Sequence, residues 1–296
     1  MTKIDSMFQK AYEIASKYTS PLILAYRFFD KTVDSGLGSF IILNDDGWLM
    51  TAAHNLQAAI AFNQNKPELA DYYSRVDNIS QNAGINSTQK ETGIKEIKVN
   101  DKWLTHLLVW VGANGAEILE TVIYGEHDIA FLRIDRKFLS PTMKYSKIKN
   151  PAKFKIGTSL CKLGYPFYPI RATFNEQHSS FDFPPNLLPI PSFPIEGIYT
   201  RNMLEGKSQE GLDIIYLETS SPALKGQSGG PIFDVDGNIY AVVAKNLTLP
   251  LGFKGEVEIN GQKFEENQFI NVGIGVHAQT IVTLLNKHKI KFELAD

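Results

Sequence analysis

The 296-residue chain contains one cysteine, Cys161, so no intrachain disulfide can form, and its six histidines fall without metal-ligand spacing. Neither a metal nor another cofactor is suggested. Long apolar runs are missing too. No stretch approaches the roughly 18–20 continuous apolar residues of a membrane-spanning helix. The N-terminus, Met1 to Ala15, mixes charge into every turn instead of setting an apolar core behind a basic start, so no secretory signal is visible. The expectation is a cytoplasmic protein with no membrane partner. Charge of one sign is also scarce. With 30 Lys and Arg against 32 Asp and Glu, the net charge of -2 gives no footprint for nucleic acid. What is present, 43% hydrophobic and 21% charged residues, suits a folded chain large enough to bury a substantial core.

The pattern along the chain is mostly that of short strands. An amphipathic helix is expected first, with Ile4, Met7, Phe8, Ala11, Ile14 and Ala15 at helical spacing, as a strap against the following strands. Strand-like runs follow at 22–26, 38–43 and 48–51, the last two joined by the turn Asn44-Asp45-Asp46-Gly47. Residues 55–74 turn helical and polar, and 81–93 read as a polar loop. Strands resume at 105–111, 117–124 and 129–134. After a Lys-, Ser- and Pro-rich stretch they continue at 159–163, 195–201, 213–218, 231–235, 239–244 and 269–276, and 280–287 read as a closing helix. Strands without long intervening helices argue for all-β barrels over a parallel α/β sheet. Cys161, inside Leu160-Cys161-Lys162-Leu163, reads as a packed strand thiol.

Three short motifs carry chemistry. Lys225-Gly226-Gln227-Ser228-Gly229-Gly230-Pro231 sets a serine among small residues ahead of a strand, and a serine hydroxyl attacks only when a base takes its proton. His54, in Thr51-Ala52-Ala53-His54, and Asp128, opening Asp128-Ile129-Ala130-Phe131-Leu132-Arg133-Ile134, are the candidate partners. The chain order is His, Asp, Ser. Taken singly, a serine in a Gly-rich turn or an Asp before a strand is usually structural; the shared order and strand context set the three together apart.

These motifs resemble the signatures of trypsin-like, chymotrypsin-fold serine peptidases. Residues 36–43, Leu163-Gly164-Tyr165-Pro166 and Gly273-Ile274-Gly275-Val276 resemble segments of the bacterial high-temperature-requirement proteases, without their PDZ domain. The resemblance implies an all-β fold of two six-stranded antiparallel barrels, with an N-terminal helix, a helical insertion after the histidine and a C-terminal helix. The domain organisation expected is an extension over 1–20, a first barrel over 21–136 with an insertion at 55–104, and a linker over 137–155. A second barrel over 156–296 carries a Pro-rich insertion at 168–194, which reads either as a packed irregular loop or as a groove wall.

The implied activity is a serine endopeptidase acting on a protein or peptide substrate, with a regulatory protein partner or trigger also compatible. His54 would be general base, Asp128 its orienting carboxylate and Ser228 the nucleophile, with the backbone N–H groups of Gly226 and Ser228 as oxyanion hole. Gln227 stands where secreted trypsins carry the Asp that pairs with a new N-terminus, which argues against activation by N-terminal cleavage. By alignment the floor of the primary specificity pocket is Pro222, so the carboxylate that selects Arg and Lys is missing. Ala244, Lys245 and Asn246 would form one wall and His277 another, with Lys225 beside the oxyanion hole. A small or apolar side chain is the expected occupant, with an acidic one, read by His277, Lys245 and Lys225, as the alternative. Two other classes remain: a silent binding module of the same fold, and an esterase or acyl transferase using the same residues.

Overall fold

The computed structural model describes residues 7–140, 145–259 and 262–296. Six strands form the first sheet: β1 (Thr19–Phe28), β2 (Val33–Ile42), β3 (Trp48–Thr51), β4 (Leu104–Val111), β5 (Ile118–Tyr124) and β6 (Ile129–Ile134). Their order is β4-β1-β2-β3-β6-β5, and every pairing is antiparallel. The near-continuous apolar run of β6 follows from its place between two neighbours over the core, where Ile129, Ala130, Phe131 and Leu132 are fully buried. The β2–β3 turn forms as expected. Asn44 Oδ1 accepts from the N–H groups of Asp46 and Trp48, and Gly47 takes φ +90°, with no room for a Cβ beside the Ile134 carbonyl.

The remaining strands are β7 (Lys147–Lys149), β8 (Ser159–Lys162), β9 (Thr173–Asn175), β10 (Ser180–Asp182), β11 (Ile195–Lys207), β12 (Asp213–Thr219), β13 (Pro231–Phe233), β14 (Ile239–Ile259), β15 (Gln262–His277) and β16 (Glu293–Ala295). Six of them run β13-β8-β11-β12-β15-β14, and the β13–β14 pairing closes the ring. Two short strands are added to the expected six: β7 pairs with β14, and β16 with β7, both in parallel. The protein is thus mostly β, with two barrel-like sheets and helices at the N-terminus, in the middle and at the C-terminus.

The helices differ from expectation in detail. Helix α1 (Gln9–Tyr18) straddles both sheets instead of strapping the first: Tyr18 donates to the Gly237 carbonyl at 2.7 Å and Phe8 meets Phe233 edge-on. Ile4 lies outside the described residues. Helix α2 (Gln57–Gln81) runs one to two turns beyond its expected end and packs on β4, where Asn65 Oδ1 accepts from the Leu104 N–H at 2.8 Å. The stretch read as a polar loop is overlapped by α3 (Ser87–Lys95), started by a reciprocal capping box between Asn86 and Gln89. Helix α4 (Ala278–Lys287) buries Ile281, Leu284 and Leu285.

One continuous apolar cluster joins Ala11 and Ala15 of α1, Leu22, Phe40 and Phe131 of the first sheet, Phe233, Val242 and Ile274 of the second, and the apolar face of α4. The two sheets share this apolar cluster, and the site lies at its rim. The Pro-rich insertion packs onto the first sheet. Its Tyr168, Ile170, Phe183, Leu187 and Ile190 meet Ile23, Leu37 and Trp110.

Candidate active site

The first half of the site follows from strand register. Thr51 of β3 pairs with Ala130 of β6, so the residues just beyond these partners leave the ladder at the same end. His54 lies there in a 3₁₀ turn, Ala53–Leu56, and Asp128 ends another, Gly125–His127, at φ 52°, ψ 42°. Asp is one of the few side chains that adopt this left-handed conformation readily. Its carboxylate receives the His54 ring Nδ1 at 2.9 and 3.0 Å and the His54 backbone N–H at 3.0 Å. With Asp128 accepting from Nδ1–H, a neutral His54 ring keeps Nε2 as a bare acceptor. The imidazole remains partly open to solvent, at 38% exposure against 20% for the carboxylate.

The second half arrives from the other sheet. The loop holding Ser228 is sewn to its own barrel by the Gly229 N–H to the Val243 carbonyl and the Val243 N–H to the Gly230 carbonyl, each 2.8 Å. It is sewn to the first barrel by the Ser39 N–H to the Ser228 carbonyl at 2.8 Å, Ser39 Oγ to the Gly226 carbonyl at 2.8 Å, and Asn55 Nδ2 to the Ser228 carbonyl at 2.9 Å. Asn55 is the residue after His54, so one short turn carries the imidazole and also grips the serine's backbone. Sequence reasoning missed Asn55 and Ser39; an amide adjoining the histidine was the available signal. Among the described residues no hydrogen bond joins the His54 ring to the Ser228 hydroxyl.

Gly226 takes φ +97°, and a Cβ there would lie 2.4 Å from the Tyr165 carbonyl oxygen. Among the described residues, neither the Gly226 nor the Ser228 N–H has a protein acceptor. Gln227 is fully buried. Its Oε1 accepts from the Leu224 N–H at 3.0 Å and its Nε2 donates to the Phe193 carbonyl at 3.1 Å, a neutral clamp on the loop.

A sequence profile described as the trypsin-like peptidase domain matches residues 38–242, from the strand before His54 to beyond Ser228. The chain belongs to the trypsin-like peptidase family. No curated protein matches it. Among solved structures it is similar to the HtrA-type protease AlgW, in a Ser-to-Ala form with tripeptide, at 14% identity and a TM-score of 0.48; the match covers 96% of this chain and 64% of that one.

The peptidase residues assigned by sequence to the specificity pocket are only partly brought together. Pro222, Ala244 and Asn246 gather near the serine loop, where Asn246 Oδ1 accepts from the Ala223 N–H at 3.2 Å. Lys245 sits over the Tyr216 ring and is paired with Glu205 at 2.8 Å, so its charge is already answered. Lys225 is exposed, at the rim of a cavity of about 520 Å³ between Ser35–Leu37, the Tyr165–Ile170 loop and Gly226. His277 is no wall of the pocket. It is 2% exposed, caps α4 by accepting from the Gln279 N–H at 3.0 Å, and lies against the Phe154 ring. Burial drives its pKa down to about 4. His127 is buried, with both ring nitrogens unpartnered among the described residues. Cys161 is buried as expected, its thiol pushed up to about 12 by desolvation.

Proposed function

We propose that this trypsin-like peptidase domain is a serine endopeptidase in which Ser228 attacks a peptide carbonyl. His54 Nε2 takes the hydroxyl proton as the Oγ–carbon bond forms and returns it to the leaving amine; Asp128 stabilises the imidazolium. The oxyanion is received by the Gly226 and Ser228 N–H groups. A water molecule then repeats the sequence on the acyl-enzyme and restores the free serine.

The observation that carries this reading is the two-point grasp of His54 by Asp128, beside a serine whose carbonyl is held by Asn55. The uncommitted Ser228 hydroxyl favours a resting site that closes on substrate, as catalytic hydrogen bonds often tighten only in the Michaelis complex. With Pro222 in place of a carboxylate, Arg and Lys are poor occupants of the pocket, since a buried cation there lacks a counter-charge.

Covalent labelling by a fluorophosphonate, lost in Ser228→Ala, tests the nucleophile. A peptide-library digest tests peptidase against esterase. Labelling that survives Ser228→Ala, or ester turnover with no peptide cleavage, overturns the assignment.

A further inference from the structure

Lys162 of β8 stands among Leu160, Cys161 and Leu163 and is 1% exposed. Its ammonium has three acceptors: Thr219 Oγ1 at 2.9 Å, Ser221 Oγ at 2.6 Å and the Ser221 carbonyl at 3.1 Å. All three are uncharged. Among the described residues no carboxylate pairs with Lys162; the nearby Glu218 is taken by Arg201 at 2.8 Å. Three hydrogen bonds satisfy the ammonium's donors, yet they leave its charge unneutralised in a place where charge is costly. Consistent with that, burial lowers its pKa to about 8.

The acceptors of Lys162 lie on the segment just ahead of Pro222. Ser221 precedes Pro222, and its carbonyl also accepts from the Gly273 N–H at 2.8 Å, while Thr219 Oγ1 donates to the Gly273 carbonyl at 3.1 Å. Asn246 lies opposite Gly273 in the β14–β15 ladder and reaches across to the Ala223 N–H. Val243, three residues before Asn246, is bonded to the two glycines that follow Ser228. The Ala223–Asn246 pair therefore lies beside the loop that carries the nucleophile. The packing there is close: a methyl group on Gly273 would come within 2.8–3.0 Å of the Ser221 carbonyl, Thr219 Oγ1 and the Ala223 N.

We propose that Lys162 is a specificity-determining residue: substrate opens a narrow slot between Ala223 and Asn246, and the charge beneath it makes the peptidase prefer a short acidic side chain, aspartate, at the residue whose carbonyl Ser228 attacks. The proposal rests on the peptidase reading. Width excludes long side chains, and the field of a buried cation repels Lys and Arg and favours a carboxylate over a neutral group of the same shape. The Ala223 N–H, held in the free protein by the exposed Asn246 side chain, becomes a donor to that carboxylate when Asn246 swings aside. The acidic alternative read from the sequence thus loses His277 and gains Lys162.

Aspartate and asparagine have nearly the same shape, so their ratio isolates charge. In paired peptide substrates the wild type should cleave after Asp at least about tenfold better than after Asn in kcat/KM, and Lys162→Met should bring the ratio to about one or below. An independent readout uses Ser228→Ala, with product peptides ending in Asp or Asn compared by calorimetry. The Asp form should bind tighter, again only when Lys162 is present. Equal or better use of Asn by the wild type, or an unchanged ratio in folded Lys162→Met, overturns the inference. Fluorophosphonate labelling of Ser228, which does not depend on the slot, shows separately whether the peptidase reading has failed.

Discussion

The two halves of the site are built on different principles. His54 and Asp128 come from neighbouring strands of one sheet, and a side-chain bond of 2.9 Å locks them together at the end of a dry ladder. Ser228 comes from the other sheet and is placed almost wholly through its backbone, while its hydroxyl is left uncommitted. A pair fixed within one ladder cannot shift unless strands part. A loop fixed across an interface can shift by rearranging three or four hydrogen bonds, so adjustment of this site belongs to the serine half.

The largest test of that comparison removes each half in turn. Ser228→Ala and His54→Ala should each lower peptide turnover about 10⁴–10⁶-fold, and the double variant should be hardly worse than either, because the groups act as a unit. Steady-state kinetics on one peptide decide it; additive losses would mean the halves work independently. Next, Gly226→Ala should reduce kcat by about 10²–10³-fold, since the new Cβ meets the Tyr165 carbonyl and turns one oxyanion donor away. Binding of a product peptide should change far less.

A third test concerns the serine half's own barrel. His277 is held neutral with its pKa near 4, below the value of about 6.5 of an unfolded histidine, so the unfolded chain binds the extra proton in that interval. Stability should therefore rise with pH between about 4 and 6.5 and be lost as pH falls through it, by about 3 kcal/mol at most. In His277→Asn, which keeps a helix cap, that part of the loss should vanish; denaturant unfolding at pH 5 and pH 7 measures it. The smallest effect expected is that of Asn55→Ala, which cuts one of the ties between the halves, leaves those of Ser39 and leaves both halves in place. It should cost about 1 kcal/mol of stability and lower kcat about tenfold, with labelling of Ser228 slowed but retained. Full activity in Asn55→Ala would show that the serine loop needs no grip from the histidine turn.

Much of this was legible in the chain. Alternating apolar strands, the Asn-Asp-Asp-Gly turn and the amphipathic α4 follow from local rules, and they were read nearly in place. The long β14–β15 arm was read only over 239–244 and 269–276, because Pro250, Gly252 and Gly255 look like loop residues. They are accommodated where β14 has a partner on one side only. Helix α3 was missed although its capping residues were present, since its middle, with Glu, Thr and Gly, has no apolar face.

The sequence by itself determined the family, the order of the three motif residues and the all-β architecture, because these rest on short contiguous patterns of shape and polarity. Only the tertiary structure decided that α1 spans both sheets, that Asn55 and Ser39 tie the serine loop to the histidine turn, that His277 turns inward to cap a helix, and that Lys162 lies buried without a counter-charge. Those facts depend on which residues meet in the folded chain, many of them far apart in sequence, and on how much water each side chain keeps. A linear pattern carries neither.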